Sequence, residues 1–539
     1  MIDVKKGESP KARRGAEASV KFSVSVMMKS FHSLCTLTAT SLAVFLSLAS
    51  FAHAEDKQIN TDVVVVGGGA AGMSASVSAA QHGVKVVLLE KESTLGGAAR
   101  FAEGLFAVET DQLRKKASPL TKDYAFKEAM EFNHWQADAA LVHKVIDESP
   151  NTIAWLTGLG LDFNPTSISP DEPPTWHLVQ DYKGIHHGAA LIACLKDHAD
   201  ELGVQIQLST PATNLILENG KIAGIEAKDK DGNRIFIHAK AVVLGTGGFP
   251  ASRDMIAKYT RFDPNKVYGT APLHKTGDGI NMALSAGGEL DNRLGLMIHP
   301  GAVGNGLIPL GSLFAMSWQP TLWVNKYGGR FMDETKSFDF ALAGNAIYQQ
   351  RDSIAWAIWD DSVQKYEMEN GIDNGVGVLI PIGTKLTALK KEEDKAIEKK
   401  SDVFFEADSI EELAQKLHMD AARLKTTVAR YNNIQSKGHD DDFAKDTRYA
   451  VPVKTGKLYA LRLVPMYFTS IGGVRVDTSF RALTNKDEVI PGLWVAGSDM
   501  GGNYGDTYTL WTSGYAFGLA STSGRVSGAE AADFVKSAK

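Results

Sequence analysis

The stretch that most restricts how this chain can fold is "TDVVVVGGGAAGMSASVSAAQHGVKVVLLEKE", residues 61–92. Val63–Val66 reads as a short strand covered on both faces, because an unbroken β-branched run suits that setting. Small residues at helical spacing predict a helix over Ala70–Gln81, Gly83 stops it, and Lys85–Glu90 reads as the next strand. Between the first strand and the helix, Gly67, Gly69 and Gly72 form G-x-G-x-x-G, and Glu90 closes the second strand. Strand, glycine turn, helix, strand and acid, in that order, predict a dinucleotide-binding unit. The glycines bring the helix N-terminus against a pyrophosphate, and the acid accepts ribose hydroxyls.

Two later segments repeat the theme. "AKAVVLGTGGF" (239–249) and "IPGLWVAGSDMGG" (490–502) each run a strand into a glycine turn. Three such strands, hundreds of residues apart, predict one sheet assembled from distant parts of the chain. "STLGGAARFAEGLFAV" (93–108), with Gly97, Ala98, Ala99 and Gly104, is small enough to lie against a flat ring. The middle of the chain differs in character. "SIEELAQKLHMDAARLKTTVARYNN" (409–433) predicts two amphipathic helices, and "KLTALKKEEDKAIEKK" (385–400) reads as a solvated surface excursion. The middle is therefore expected to be an inserted domain.

Residues 28–54 carry Lys29, an apolar run from Leu34 to Leu48 and Ala52-His53-Ala54, the arrangement of a secretory signal peptide rather than a membrane anchor. Residues 1–27 read as an extension upstream of a start at Met27 or Met28. Without 1–54 the chain holds 50 basic and 60 acidic residues, a charge of −10. So acidic a surface argues against nucleic acid as a partner. Of the two cysteines, Cys35 leaves with the signal and Cys194 stays. One cysteine makes no disulfide, no C-x-x-C-H haem site and no iron–sulfur cluster, so an electron relay must belong to a partner. His177, His186 and His187 lack a third ligand at metal-binding spacing, and no metal is expected.

Near the C-terminus, "GGNYGDTYTLWTSGYAFG" (501–518) sets Tyr504, Tyr508, Trp511, Tyr515 and Phe517 on a glycine-rich backbone. Rings bury large areas while glycine admits close approach, which suggests a wall built to face a bound partner.

Together these residues resemble the fumarate reductase/succinate dehydrogenase flavoprotein superfamily, most nearly its soluble periplasmic branch of fumarate, urocanate and related enoate reductases. The resemblance runs over 60–535 through "HKTGDGINMALSAGGEL" (274–290), "WVNKYGGRFMDE" (323–334), "TTVARYNN" (426–433), "SIGGVRVD" (470–477) and "VIPGLWVAG" (489–497). It implies an α/β fold: an FAD-binding, Rossmann-like domain of the glutathione-reductase type (55–295 and 466–539), split by an α+β capping domain (296–465). It places FAD contacts on Ala71, Glu90, Ala98, Ala99, Gly104, Ala212 and Asp278, with Ala516 and Phe517 near the isoalloxazine. Where the family has a glutamate after "AG", this chain has Ser498 and then Asp499, and Asp499 is the acid available to the ribityl chain. The family's covalent members attach flavin through a histidine after the "GG"; "GGAARFAEG" has none, so non-covalent FAD is expected.

The same resemblance removes fumarate as the expected substrate. The proton-donating arginine falls on Phe338, its two feeder positions on Phe314 and Ser317, and the clamping arginine on Tyr508. A clamping histidine becomes Phe468 or Thr469, while that of "MIHPG" remains as His299, able to bond a single carboxylate or carbonyl. Tyr508 and Tyr504 are then the available acids, as in the 3-ketosteroid dehydrogenases of this superfamily, and Trp318, Trp323 and Phe338 either line an apolar pocket or form core. The first expectation is a periplasmic FAD reductase of an activated C=C bond, conjugated to a carbonyl or single carboxylate and fed by a separate cytochrome or quinol-linked donor. The alternatives are a dehydrogenase of a saturated ketone and a flavin-binding protein without turnover.

Overall fold

In the computed structural model, residues 56–168, 172–271, 273–375, 377, 380–508 and 512–537 are described. The expected signal peptide and Trp511 lie outside the described residues. Among the described residues no helix is long and apolar enough to cross a membrane.

The four valines do form a strand, Val63–Val66, buried throughout. They form the middle of a six-stranded sheet. On one side Val63–Val66 pairs in parallel with Val86–Leu89, which pairs in parallel with Gln205–Gln207. On the other side it pairs in parallel with Ala241–Leu244, which pairs in parallel with Val489–Val495. The strand Arg481–Leu483 closes that edge antiparallel. The three expected strands thus do meet in one sheet, with their glycine turns at the same end, the carboxyl ends of parallel strands where such folds take ligands.

The helix Ala70–Gln81 covers one face, and eleven of its twelve residues are buried. Its alanines and serines let the long C-terminal helix Tyr515–Ser537 approach closely. A methyl on Gly524 or Gly528 of that helix would stand 2.1 or 2.2 Å from the carbonyl oxygens of Ala71 and Ala75.

A second sheet is organised by one strand of fourteen residues, Leu458–Ile471. Its first half pairs antiparallel with Ala355–Asp360 and Phe404–Ala407. Its second half pairs with Gly295–Gly301 and with Tyr268–Gly269. The strand therefore carries Phe468, Thr469 and Ser470 from this sheet to the glycine turns, where Phe249 N donates to Ser470 Oγ at 2.9 Å. The helices Ile410–Lys416 and Ala421–Asn432 form as expected.

The segment 385–400 is more than a surface excursion. Most of it is solvated, as expected, but Leu389–Glu398 is a helix with an inward face that buries Leu389, Glu392, Glu393 and Ala396. Glu392 on that face turns inward and accepts the backbone N–H groups of Ser312 and Leu313 at 3.1 and 2.9 Å.

Candidate active site

The first turn has distinct work for each glycine. Gly67 has φ +105°, and a methyl there would lie 2.3 Å from Gly245 O; one on Gly72 would lie 1.7 Å from Gly67 O. Both are needed for the backbone to close. Gly69 is different: a methyl there meets nothing nearer than Gly96 O at 3.8 Å, and one on Gly97 nothing nearer than Gly69 Cα at 3.9 Å. The two face a gap at the start of the helix, whose N-cap Gly69 offers no side-chain hydrogen bond. An open gap beside uncapped helical N–H groups suits an anion, and a pyrophosphate fits it.

Glu90 stands at the rim. Its Oε2 accepts Gly68 N at 2.6 Å and its Oε1 accepts Glu92 N at 2.8 Å. Each oxygen keeps a lone pair for a ribose hydroxyl. Thr210 N donates to the Glu90 carbonyl at 2.9 Å, which brings Ala212, first residue of the strand Ala212–Glu218, to the same end. Asp278 opens the helix Asp278–Ser285 and pairs with Lys91 Nζ at 2.7 Å, beside Glu90. Ala98 and Ala99 sit in the short helical turn Gly97–Phe101, and Ala99 is buried. Gly104 starts the strand Gly104–Phe106; a methyl there would press on His177 O at 2.8 Å. That strand meets the start of the C-terminal helix: Phe106 N donates to Gly514 O at 3.0 Å, next to Ala516 and Phe517.

Asp499 is fully buried and turned onto the second glycine turn. It accepts Thr246 N at 2.5 Å, Thr246 Oγ1 at 2.8 Å and Gly248 N at 2.7 Å. Burial raises its carboxyl above the ordinary value, with the donors from Gly248 and Thr246 opposing. It thus ties the ends of two neighbouring parallel strands, whatever else it touches. Beside it Lys275 is buried, with Nζ 3.0 Å from Thr469 Oγ1.

Beyond the turns stands a wall of rings. Tyr504, Tyr508 and Tyr515 are all buried. Tyr504 lies 5.8 Å from each of the other two, centroid to centroid. Tyr508 stacks on Phe340 at 5.9 Å. Phe340 continues to Trp318 at 5.7 Å and Phe468 at 5.6 Å, and Phe468 stacks on His299 at 4.1 Å. The Tyr508 hydroxyl oxygen receives Ala516 N at 3.3 Å. Burial holds all three phenols above their ordinary range, so each keeps its proton at neutral pH.

His299 is engaged at both ring nitrogens, Nε2 with Thr270 Oγ1 and Nδ1 with Pro300 O, each at 2.6 Å. Burial pushes it down to about 4, so it is neutral and has no open nitrogen. Trp323 is core, its Nε1 donating to Gln319 O at 3.1 Å. Phe338 is half-buried and packs edge-on to Tyr449 at 5.0 Å. Phe314 and Ser317 are buried, and Ser317 Oγ donates to Phe314 O at 2.7 Å. His177 bonds Thr110 at 2.7 Å and His186 lies 3.8 Å from Asp181, in separate settings. Among the described residues no group of three His, Cys, Asp or Glu is placed to hold a metal. Thr246, Thr270, Phe340 and Lys275 are site neighbours that sequence reasoning passed over. For Lys275 and Thr246 the signal was their place inside the quoted glycine motifs.

A parallel sheet with this cradle at its carboxyl ends defines a dinucleotide-binding flavoprotein architecture. The chain belongs to the FAD binding domain family, whose model matches residues 62–514. It is 34% identical over 486 residues to a vinyl phenol reductase of Lactiplantibacillus plantarum, covering 89% of this chain and 97% of that one. It is 31% identical over 485 residues to a fumarate reductase (cytochrome) of Shewanella frigidimarina, covering 88% of this chain and 77% of that one. Its fold matches an open-conformation flavocytochrome c3 fumarate reductase with TM-score 0.67 and 25% identity, over 92% of this chain and 81% of that one. The chain is an FAD-dependent oxidoreductase of the fumarate reductase type.

Proposed function

We propose that this enzyme reduces the activated C=C bond of a substrate bearing an aromatic ring, with electrons from a separate donor. One observation carries the reading: Tyr508 belongs to a continuous run of rings through Phe340, Trp318 and Phe468, and the resemblance implies that Tyr508 and Phe338 stand where the family has its clamp and donor arginines. Such a wall binds a ring by stacking and gives a dicarboxylate no bidentate partner. The vinyl phenol reductase relative supports an aryl alkene over a purely aliphatic enoate.

FAD, when bound, supplies the hydride. The Gly69–Gly97 gap and the helix N-terminus hold its pyrophosphate, and Glu90 holds its ribose. Tyr508 gives its proton to the second alkene carbon. Its oxygen already accepts the Ala516 amide, which eases the phenolate left behind. The rings around it keep water out. We place residues 55–295 and 466–539 in the FAD domain and 296–465 in the cap. We further propose non-covalent FAD, a periplasmic location after cleavage at Ala54, and a cytochrome or quinol-linked donor, since the residues supply no relay.

The test is re-oxidation of chemically reduced viologen by the FAD-loaded protein. Turnover with 4-vinylphenol or an aryl enoate at least a hundredfold above fumarate is expected. Fumarate turnover equal to the aryl substrates would reject the reading.

A further inference from the structure

Lys275 is an unusual place to find a charge. The residue is 8% exposed, and among the described residues its ammonium makes one hydrogen bond, to the neutral Thr469 hydroxyl at 3.0 Å. It forms none of the ion pairs found among the described residues, so no carboxylate there approaches its Nζ within 4.0 Å. The buried acid whose field reaches it, Asp499, has both oxygens engaged by Thr246 and Gly248. An ammonium has three donors, and a buried charge without compensation costs several kcal/mol. Burial accordingly pulls this amine down to about 8, with the field of Asp499 opposing.

The lysine is nevertheless built in. Gly247 has φ +96°, and a methyl there would stand 2.6 Å from Lys275 Cδ, so the turn is bare where the stem crosses it. Gly245 of the same turn closes on Gly67 of the dinucleotide turn. Thr469 belongs to the long strand that also carries Phe468 into the ring wall. Lys275 therefore stands where the glycine turn of the FAD cradle meets the strand that carries the ring wall.

We propose that Lys275 is a cofactor-tuning residue: tethered by Thr469, its ammonium compensates the negative charge that FAD gains on reduction. Two electrons from the donor and one proton leave the reduced ring with one negative charge. Lys275 balances that charge without giving up its own proton, and so raises the reduction potential. The inference needs only FAD in this site and is independent of the alkene reduced.

The test uses FAD-loaded protein and the two-electron midpoint potential, read spectroscopically against a reference dye. Lys275→Met should weaken reduced FAD relative to oxidised FAD at least tenfold, a fall of about 30 mV. Lys275→Arg should restore most of it, and Thr469→Val should move the potential the same way by less. The sulfite adduct of the oxidised cofactor, which also places negative charge on the ring, should weaken in parallel. An unchanged potential in a Lys275→Met protein that retains FAD overturns the proposal. So does equal weakening of oxidised and reduced FAD, which makes the lysine a general anchor. If Lys275→Met does not fold, a Thr469→Val protein with unchanged potential and sulfite affinity overturns it.

Discussion

Replacing Tyr508 by phenylalanine separates chemistry from packing at the ring wall. The ring stays, and with it the stack on Phe340 at 5.9 Å and the contact with Tyr504 at 5.8 Å. What goes is one hydroxyl and its 3.3 Å hydrogen bond from Ala516 N. Losing that bond costs about 1 kcal/mol of stability, a small shift in melting temperature. Losing a general acid costs about 10²–10⁴-fold in rate. The expected result is a collapse of viologen-coupled turnover with flavin content nearly unchanged. Because burial raises the phenol further above neutrality, wild-type kcat should also be flat through the neutral range. Tyr504→Phe is the comparison, since its ring neighbours the same hydroxyl. Full turnover in both single variants and the double variant refutes the assignment, and the proton then comes from water or another residue.

Two further outcomes follow from the packing. Gly69→Ala should leave the apoprotein's melting temperature alone, since its methyl has room to 3.8 Å, yet weaken FAD at least tenfold by filling the gap; Gly72→Ala, at 1.7 Å from Gly67 O, should lower both. Calorimetry of apoprotein and an FAD titration check the pair. The buried Glu367 carboxyl, with Oε2 unpartnered, is held up to about 9 from 4.5 by burial and Asp373. The native state therefore keeps a proton that the unfolded chain releases, so this stability is complete below 4.5 and is lost as pH rises toward 9. Glu367→Gln abolishes the titration, and its unfolding free energy should gain on wild type as pH rises from 5 to 8, by about 1.4 kcal/mol per pH unit at most. A gap that does not change with pH contradicts the buried, protonated state.

What could be read from the sequence was what is local. Val63–Val66, the glycine turn and Glu90 sit within thirty residues, and each residue type has one physical reason to be there. The meeting of three distant strands was legible for the same reason, since each ends in its own glycine turn. Pairings across the fold were not legible. Asp499 finds Thr246 only because their strands are neighbours in the sheet, and His299 finds Thr270 only through the long strand between them. The buried face of the helix 389–398 was hidden for another reason. Composition alone does not tell a carboxylate that caps a buried turn, such as Glu392, from one facing water.

The sheet order also governs when this protein can become itself. Its middle strand at 63–66 has neighbours at 86–89 and 241–244, but the next position is filled only by 489–495. The helix that covers the first one begins at Tyr515. Contacts of such separation close slowly, because loop entropy is spent before they form. During synthesis the glycine turn at 67–72 emerges early and stays without its roof until the residues beyond 514 exist. FAD capture should therefore be a late event, and a chain cut before the last helix should lose the cofactor although every glycine of the cradle is present.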